Sequence, residues 1–306
     1  MSPRKGILEK PPRVLKTWSN GKLIKGRKKL DSFVASFNYS GLAVWEGIRA
    51  YQQKDGSTKL FKLKEHIKRL FNSARIIGIK LPFEAYELER ACQSLVMSVG
   101  GGDLYLRPIA YVDSDCEEKF DIKTVSIDIH CFEVLYTDDR SKKAIISSHS
   151  RSYPEYIMQA KTPANYNKIF EMKAEAERAG VEEVLITDRH GYVVEGSTSN
   201  ILVIKGNIIA TPPSDGSILP GITLNELTKI LHNPTIFVKH KRTPNVVVKN
   251  ITRADIYTAD SILLTGTLCE IINICEIDGR PLLDKNENFY YKILRDEFTK
   301  LTRGIK

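Results

Sequence analysis

The stretch VEEVLITDRHGYVVEGSTSNILVIKGNIIAT, residues 181–211, decides the fold class. Aliphatic and β-branched runs alternate in it with Asp, Gly, Ser and Asn, a pattern typical of short strands joined by tight turns. Within the last third, Lys205-Gly206-Asn207 is typical of a hairpin turn. The predicted strands are Glu183–Thr187, Tyr192–Glu195, Asn200–Lys205 and Ile208–Thr211.

Helices are predicted before this stretch but in smaller number than strands. One runs from about Asn167 to Ala179, where Gly180 ends it. Spacing of apolar residues predicts two more helices and two strands in the amino-terminal half, at Lys62–Ile77, Glu84–Val99, Leu104–Val112 and Thr124–Glu133. Because strands outnumber the helices between them, we expect an α+β fold rather than a parallel doubly wound sheet.

The length of 306 residues favours two domains. The segment from Leu135 to Lys143 contains Asp138, Asp139 and Arg140, which are typical of an exposed linker. We therefore predict a small amino-terminal domain over residues 1–134, a linker over 135–143 and a larger domain over 144–306.

Composition excludes several classes of protein. The net charge is +9, concentrated in part between Arg4 and Lys29, but no zinc spacing or RNA-binding signature accompanies it, so we expect no nucleic-acid partner. Five cysteines without a CxxC pair favour neither disulfides nor a metal site, and they fit a reducing cytoplasm. No signal-peptide run and no stretch of about eighteen apolar residues is present, so we expect neither secretion nor membrane insertion.

The most informative chemistry lies in Gln159-Ala160-Lys161-Thr162-Pro163-Ala164-Asn165-Tyr166. A lysine amine attacks an aldehyde when it is placed in a dry, preformed pocket. Taken alone, this segment favours the alternative, a solvated lysine before a helix.

A second segment, Val194-Glu195-Gly196-Ser197-Thr198-Ser199-Asn200-Ile201, places a carboxylate at the end of an apolar strand. An unpaired carboxylate is costly there, so Glu195 needs a cationic partner. A protonated pyridine nitrogen would serve, because the ion pair keeps the ring able to accept electrons. A glutamate that caps the turn at Gly196 is the alternative.

Two further segments are suited to a phosphate. Leu219-Pro220-Gly221-Ile222-Thr223 precedes a helix, and Thr223 with Glu226 has the spacing of a capping box. Free N–H groups at such a helix start bind anions. Thr265-Gly266-Thr267 offers hydroxyls and an approachable backbone, and Arg69 offers a guanidinium fork, while His66 beside it is expected to be structural. A simple helix start, a plain loop and a solvent-facing arginine remain the alternatives.

Taken together, these motifs resemble the branched-chain amino acid aminotransferase family, the fold type IV group of pyridoxal 5'-phosphate (PLP) enzymes, from about Lys16 to the carboxyl end. The resemblance implies a two-domain α+β fold. The matching order is Val44-Trp45-Glu46-Gly47-Ile48-Arg49, Glu65-His66 through Arg69, Tyr105-Leu106-Arg107-Pro108, Lys161 with Tyr166, Glu195 with Asn200, Leu219 to Thr223 and Thr265 to Thr267.

By this resemblance Lys161 is the Schiff-base lysine and proton carrier, Tyr166 hydrogen-bonds the phenolic oxygen of the cofactor, and Glu195 pairs with its pyridine nitrogen. The implied cofactor contacts also include Asn200 and, for the phosphate, Arg69, Ile222, Thr223, Gly266 and Thr267. The implied substrate contacts are Tyr39, Trp45, Tyr105, Arg107 and Tyr136, with main-chain amides around Thr267 and Leu268 for the α-carboxylate. The resemblance also implies a homodimer or a higher homo-oligomer.

The expected reaction is a ping-pong transamination of leucine, isoleucine and valine with 2-oxoglutarate. The Tyr105-x-Arg107 arrangement favours it. D-amino acid or (R)-amine transamination, or aminodeoxychorismate lyase chemistry, on the same fold stays open, because Asp113–Lys119 replaces a glycine-rich stretch usual in the family. Leu268 and Cys269 also replace common alanines. A third hypothesis is a nucleic-acid-binding or scaffold protein. It assigns no role to the segments around Lys161 and Glu195 or to the two segments suited to a phosphate.

Overall fold

The computed structural model describes residues 13–29, 42–113, 124–134, 141–151, 155–238, 242–282 and 289–305. The chain divides into two compact units. Unit 1 comprises Met1–Asp138, Ala160–Ala164 and Thr302–Ile305, and unit 2 comprises Asp139–Gln159, Asn165–Leu301 and Lys306. No helix in the described part of the chain is long and apolar enough to cross a membrane.

In its described residues, unit 1 is an antiparallel sheet with two helices. Its elements are β1 (Val14–Ser19), β2 (Lys22–Lys25), β3 (Ala43–Trp45), β4 (Ile48–Gln52), β5 (Thr58–Leu60), α1 (Leu63–Ile77), α2 (Ala85–Ser98), β6 (Leu104–Val112) and β7 (Val125–Glu133). Among the described residues the strand order is β2-β1-β7-β6-β4-β5, and β3 also pairs with β6. Both predicted helices and both predicted strands are confirmed within one residue at each end.

Alternation along β6 and β7 divides their side chains between two faces. Even-numbered residues of β6 and odd-numbered residues of β7, such as Leu106 and Ile129, join a core cluster with Leu70 of α1 and Leu88 of α2. The remaining residues form the opposite face, here called the Arg107 face. It consists of Tyr105, Arg107, Ile109, Tyr111, Ser126, Asp128, His130 and Phe132.

Unit 2 is a mixed sheet with helices of 4 to 15 residues in its described part. Its elements are β8 (Ser141–Ser150), α3 (Glu155–Met158), a 3-10 turn (Pro163–Tyr166), α4 (Asn167–Arg178), β9 (Glu183–Thr187), β10 (Val193–Gly196), β11 (Asn200–Lys205), β12 (Ile208–Thr211), α5 (Ile222–Leu231), α6 (Pro234–Phe237), β13 (Asn245–Val248), α7 (Arg253–Tyr257), β14 (Ser261–Gly266), β15 (Glu270–Ile277), β16 (Arg280–Pro281) and α8 (Phe289–Arg303). The four strands predicted over 181–211 are confirmed, and Lys205-Gly206-Asn207 joins β11 to β12.

The sheet of unit 2 closes on itself. Its described strand order is β10-β9-β8-β15-β14-β11-β12-β13, and an additional pairing joins β10 to β11. That pairing consists of Glu195 opposite Asn200 and completes a ring of six strands. The two residues are therefore fixed by the closure of the sheet, with the turn Gly196–Ser199 linking them.

Two expectations about organisation need correction. Residues 141–143, predicted as linker, belong to β8, because the strand pairs with β15 from Ser141 onward. Lys161, predicted in the carboxyl-terminal domain, groups with unit 1, because its main chain is hydrogen-bonded there. The remaining linker residues, 135–140, lie outside the described part of the chain.

The predicted capping box at Thr223 is also wrong. The helix α5 begins at Ile222 with Gly221 as the N-cap, and no side chain caps it. Thr223 lies within the first turn and is buried, and Glu226 pairs instead with Lys229 at 2.6 Å. The first N–H groups of the helix are thus left without a side-chain acceptor from its own cap.

Candidate active site

Lys161 is held in unit 1 by its main chain. Its N–H donates to Ser73 Oγ of α1 at 3.0 Å, and its carbonyl accepts from the Trp45 N–H at 3.0 Å. Lys161 Nζ lies 3.9 Å from the centroid of the Trp45 ring. Two different elements thus fix the backbone from which the amine extends.

The next residue after Trp45 is a fully buried carboxylate. Glu46 accepts from Arg69 Nε at 2.6 Å and Nη2 at 2.9 Å, and from His66 Nδ1 at 2.8 Å. Burial alone would raise the pKa of Glu46, but Arg69 and His66 outweigh it and hold that pKa well below its usual range. Burial lowers the pKa of His66, which fits a neutral ring that donates to Glu46. The cluster ties α1 to the loop that carries Trp45.

Gly47 allows an aromatic ring to approach this loop. A Cβ at this position would collide with the hydroxyl and ring of Tyr105. Any larger residue would therefore push Tyr105 away from the Trp45 loop, and Tyr105 is one of the predicted substrate contacts.

Arg107 lies among aromatic rings. Its guanidinium carbon is 4.9 Å from the centroid of Trp45, 5.6 Å from that of Tyr105 and 6.0 Å from that of Phe132. Its Nε is buried and has no hydrogen-bond partner, and no acid in the described part of the chain pairs with it. The rings compensate the charge only in part, so the site is suited to an incoming anion.

Glu195 in unit 2 is saturated with partners. Its Oε2 accepts from Arg151 Nη1 at 2.7 Å, and its Oε1 accepts from Asn200 Nδ2 at 3.0 Å and from the Leu219 N–H at 2.9 Å. Arg151 is therefore one cationic partner of Glu195 that the chain itself supplies. Arg151 was missed, because it is 44 residues from Glu195 in sequence and carries no motif of its own.

The predicted anion-binding segments of unit 2 lie around the same ring closure. Asn200 donates to the Leu219 carbonyl at 3.0 Å, and a Cβ at Gly221 would collide with the Asn200 side chain. This contact positions the start of α5, where Ile222 and Thr223 present their N–H groups.

Gly266 packs against the turn that joins β10 to β11. A Cβ there would contact the Thr198 carbonyl oxygen at 3.5 Å and Ser199 Cβ at 3.8 Å. Ser199 Oγ and Thr265 Oγ1 beside it are buried and have no hydrogen-bond partner among the described residues. Buried hydroxyls without partners are costly, so they indicate that a polar ligand completes this region.

The remaining predicted residues are placed as follows. Tyr166 ends the 3-10 turn and packs against the cluster that contains Ile169. Thr267 and Leu268 lie in the turn after β14, where Leu268 is 55% exposed. Tyr39 and Tyr136 lie outside the described residues, and so does most of the loop Asp113–Lys119.

The residues present fit the chemistry of PLP. The Lys161 amine suits the aldehyde of PLP, and the Glu195 carboxylate suits its pyridine nitrogen. The start of α5, with the hydroxyls of Ser199 and Thr265, suits its phosphate. In the described residues no cluster of His, Cys, Asp and Glu could hold a metal ion.

A family model described as amino-transferase class IV matches residues 43–277, which is most of the chain. The chain belongs to this family. The aminotransferase is also 33% identical over 314 residues to a putative branched-chain-amino-acid aminotransferase of Methanocaldococcus jannaschii, with 95% of this chain and 99% of the relative covered. The sequence-based assignment to the fold type IV family is thereby confirmed.

Solved structures extend the similarity to the whole fold. The branched-chain aminotransferase of Thermoproteus uzoniensis with norvaline is 31% identical, with a TM-score of 0.84 and 96% of each chain covered. The branched-chain amino acid aminotransferase of Thermobaculum terrenum in its PLP-bound holo form is 26% identical, with a TM-score of 0.86 and 97% and 96% of the two chains covered. These similarities confirm the two-domain α+β fold class and PLP as the cofactor of this aminotransferase.

Proposed function

We propose that this aminotransferase transfers the amino group of leucine, isoleucine or valine to 2-oxoglutarate, giving the branched 2-oxo acids and glutamate. One observation carries the proposal: Lys161 Nζ and the Arg107 guanidinium both lie against the Trp45 ring, at 3.9 and 4.9 Å from its centroid. The amine for the chemistry is thus close to a cation suited to a second carboxylate. Relatives and solved neighbours named as branched-chain aminotransferases support the same substrates.

Each role assigned by the family resemblance has a physical basis. When bound, PLP supplies an aldehyde that exchanges amines and a ring that accepts electrons. With PLP bound, Lys161 Nζ would be the group that moves a proton at the α-carbon of the substrate. Glu195 holds the proton on the pyridine nitrogen, and Tyr166 donates to the phenolic oxygen.

The carboxylate of Glu195 is well prepared for this role. Arg151 pairs with it, while Asn200 and the Leu219 N–H fix its orientation. An ionised, oriented acceptor stabilises a protonated pyridine without reorganisation during the reaction.

Phosphate binding is assigned to the start of α5 and the Thr265–Thr267 segment. The N–H groups of Ile222 and Thr223 and those of Gly266 and Thr267 supply donors, and Ser199 and Thr265 add hydroxyls. Arg69 completes the set in the proposal, although the described structure already engages it with Glu46.

The substrate contacts explain how one enzyme accepts two kinds of side chain. Trp45 and Tyr105, together with Tyr39 and Tyr136 in the proposal, form an aromatic wall for aliphatic side chains. Arg107 gives a forked contact to the distal carboxylate of glutamate or 2-oxoglutarate. Main-chain amides at Thr267 and Leu268 receive the α-carboxylate in both half-reactions.

The test is to follow each half-reaction separately by single-turnover spectroscopy, with L-leucine and with L-glutamate. Arg107→Leu is expected to slow the glutamate half-reaction by about tenfold or more, equal to about 1.4 kcal/mol, while the leucine half-reaction changes much less. An equal fall in both would assign Arg107 to the fold or to the α-carboxylate. A wild-type preference for D-alanine or an (R)-amine over L-leucine would overturn the proposed substrates.

We also propose that the enzyme works in the cytoplasm on small amino acids and 2-oxo acids, as a homodimer or higher homo-oligomer. Free thiols at Cys92, Cys131, Cys269 and Cys275 support a reducing compartment. Light scattering of the purified protein at several concentrations tests the assembly, and a stable monomer with full activity would contradict it.

A further inference from the structure

His130 lies directly opposite Arg107. The two residues are register partners in the antiparallel pair of β6 and β7, so their side chains share the Arg107 face. The His130 ring also lies 6.4 Å from the ring of Phe132, which contributes to the aromatic surroundings of Arg107. A histidine is thus a neighbour of the proposed carboxylate site.

The hydrogen bonds of His130 fix which ring nitrogen carries the proton in its neutral form. Its Nδ1 lies 2.9 Å from Thr17 Oγ1, and the Thr17 hydroxyl donates its single proton to the Gly26 carbonyl at 2.7 Å. The hydroxyl must therefore accept from His130, so Nδ1 carries the hydrogen. Nε2 then has a lone pair, and no described residue hydrogen-bonds it.

The charges that face His130 are mostly positive. Burial lowers the pKa of His130, Asp128 opposes this, and the cations nearby lower it further, so the ring is neutral near pH 7. The described titratable and charged groups facing it are Arg107 on β6, Asp128 on β7, and Arg27 and Lys28 after β2, while β1 contributes the uncharged Thr17.

Asp128 does not neutralise Arg107, because its carboxylate is engaged elsewhere. Its Oδ2 accepts from the Tyr111 hydroxyl at 2.9 Å, and its Oδ1 lies 3.4 Å from Lys28 Nζ. Lys28 Nζ also donates to the Tyr111 hydroxyl oxygen at 2.8 Å. A substrate carboxylate at Arg107 would therefore give Arg107 the anionic partner that Asp128 does not provide.

We propose that His130 is a specificity-determining residue, which takes up a proton when the distal carboxylate of glutamate or 2-oxoglutarate binds at Arg107. The proton comes from solvent and attaches to Nε2, while Nδ1 keeps its hydrogen bond to Thr17. No covalent bond of the substrate changes in this step. The inference rests on the proposed role of Arg107 and deepens it.

The consequence is a pH-dependent choice between the two kinds of substrate. An anion beside His130 favours the charged imidazolium, so dicarboxylates bind more tightly as pH falls, whereas an aliphatic side chain produces no such coupling. The pH dependence of dicarboxylate affinity is expected between two pH values. The lower one is the pKa of His130 in the free enzyme, which lies below the usual value, and the upper one is the higher pKa of His130 in the complex. A difference of only about half a unit between these pKa values changes affinity by about threefold.

The experiment is calorimetric titration of the full-length PLP enzyme with glutarate and with 4-methylvalerate, from pH 6 to 8, in buffers of different ionisation enthalpy. The buffer dependence of the heat gives the protons taken up. His130→Asn keeps a side-chain N–H for Thr17 but does not titrate, and His190→Asn in the exposed turn before β10 is the matched control.

We expect wild type and His190→Asn to take up protons with glutarate beyond any uptake with 4-methylvalerate, with glutarate affinity weakening by about threefold or more over the range. His130→Asn should remove both effects. Should that variant fail to fold, the NMR titration of His130 in wild type decides instead, with a higher pKa expected in the glutarate complex alone.

Equal proton uptake for both ligands, uptake that persists in His130→Asn, or an unchanged His130 pKa would overturn the inference. Arg107→Leu separates this from failure of the proposed function. If Arg107→Leu leaves the affinity for glutarate unchanged, Arg107 does not bind the distal carboxylate and the proposed function loses its main support. If glutarate needs Arg107 but binds without His130-linked protons, only the inference about His130 falls.

Discussion

Glu195 of unit 2 and Arg107 of unit 1 carry opposite charges, and the described residues around each of them differ. Glu195 accepts from Arg151, Asn200 and the Leu219 N–H, so its orientation is fixed by the chain. Arg107 has aromatic rings around it and, in the described part of the chain, no acid. Glu195 thus has a cationic partner within the chain, whereas Arg107 is suited to an anionic ligand.

This difference matches the lifetimes of the partners proposed for the two groups. A cofactor that stays bound requires a constant electrostatic environment, which a saturated carboxylate provides. Substrates that alternate between charged and aliphatic side chains require a cation that tolerates both, and aromatic rings stabilise a guanidinium without competing for its hydrogen bonds. Substitutions at Glu195 should therefore affect reactions of all substrates, whereas substitutions at Arg107 should affect mainly the reactions of dicarboxylates.

The largest effect is expected from Lys161→Ala. Loss of the amine should abolish measurable transamination, because no neighbouring group replaces both the cofactor anchor and the proton carrier. The fold should persist, since the contacts to Ser73 and Trp45 come from the main chain. Steady-state turnover and circular dichroism check both parts, with Lys173→Ala on α4 as a control that should retain activity.

A smaller but still large effect is expected from Glu195→Gln. The neutral amide holds the pyridine proton less well, so turnover should fall about ten- to a hundredfold while cofactor retention changes less. Arg151→Gln leaves the carboxylate in place and should lower turnover by a smaller factor. Single-turnover rates and PLP retention after dialysis give the comparison, and wild-type turnover in Glu195→Gln would show that the pyridine contact is misplaced.

The smallest effect on turnover is expected from Glu46→Gln when it is measured at saturating PLP. This substitution is expected to lower the stability of the fold instead. Removing the carboxylate of this buried ion pair takes an ionic partner from Arg69 and should cost about 3–5 kcal/mol in the free energy of unfolding. The lowered pKa of Glu46 means that its contribution is complete above the unfolded-state pKa of about 4.3 and is lost as pH falls toward the folded-state value.

Urea unfolding at pH 7, 5 and 3 tests this prediction. The difference between wild type and Glu46→Gln should be constant from pH 7 to 5 and then shrink by about 1.4 kcal/mol per pH unit below about 4.3. Glu65→Gln, on the same helix but half exposed, should change stability by no more than about 0.5 kcal/mol at any of these pH values. A pH-independent difference for Glu46→Gln would contradict the assigned ion pair.

The sequence predicts local structure better than long-range contacts in this chain. Periodicity predicts α1 and β6 well, because each carries a regular apolar pattern over many residues. The Arg151–Glu195 pair joins residues 44 apart, and the Lys161–Ser73 hydrogen bond joins residues 88 apart. No local signal encodes such contacts, so only folding of the strands and helices brings these residues together.

The start of α5 illustrates a different limit. Thr223 and Glu226 have capping-box spacing, but the N-cap of the helix is Gly221, two residues earlier, and Gly221 packs closely on Asn200. A tertiary contact thus overrides a local capping signal. With Gly221 as the N-cap, no side chain of the cap occupies the first N–H groups of the helix, so they are available for the proposed phosphate contact. A capping box would have occupied one of them.

The central claim is that Lys161 is the amine that bonds the cofactor. Borohydride reduction of the PLP-loaded protein followed by peptide mapping tests it directly, because reduction makes the bond between amine and cofactor permanent. We expect yellow protein, a phosphopyridoxyl label confined to the peptide that contains Lys161, and no such label in Lys161→Ala. A label on another lysine, or no bound cofactor after reconstitution, would contradict the claim.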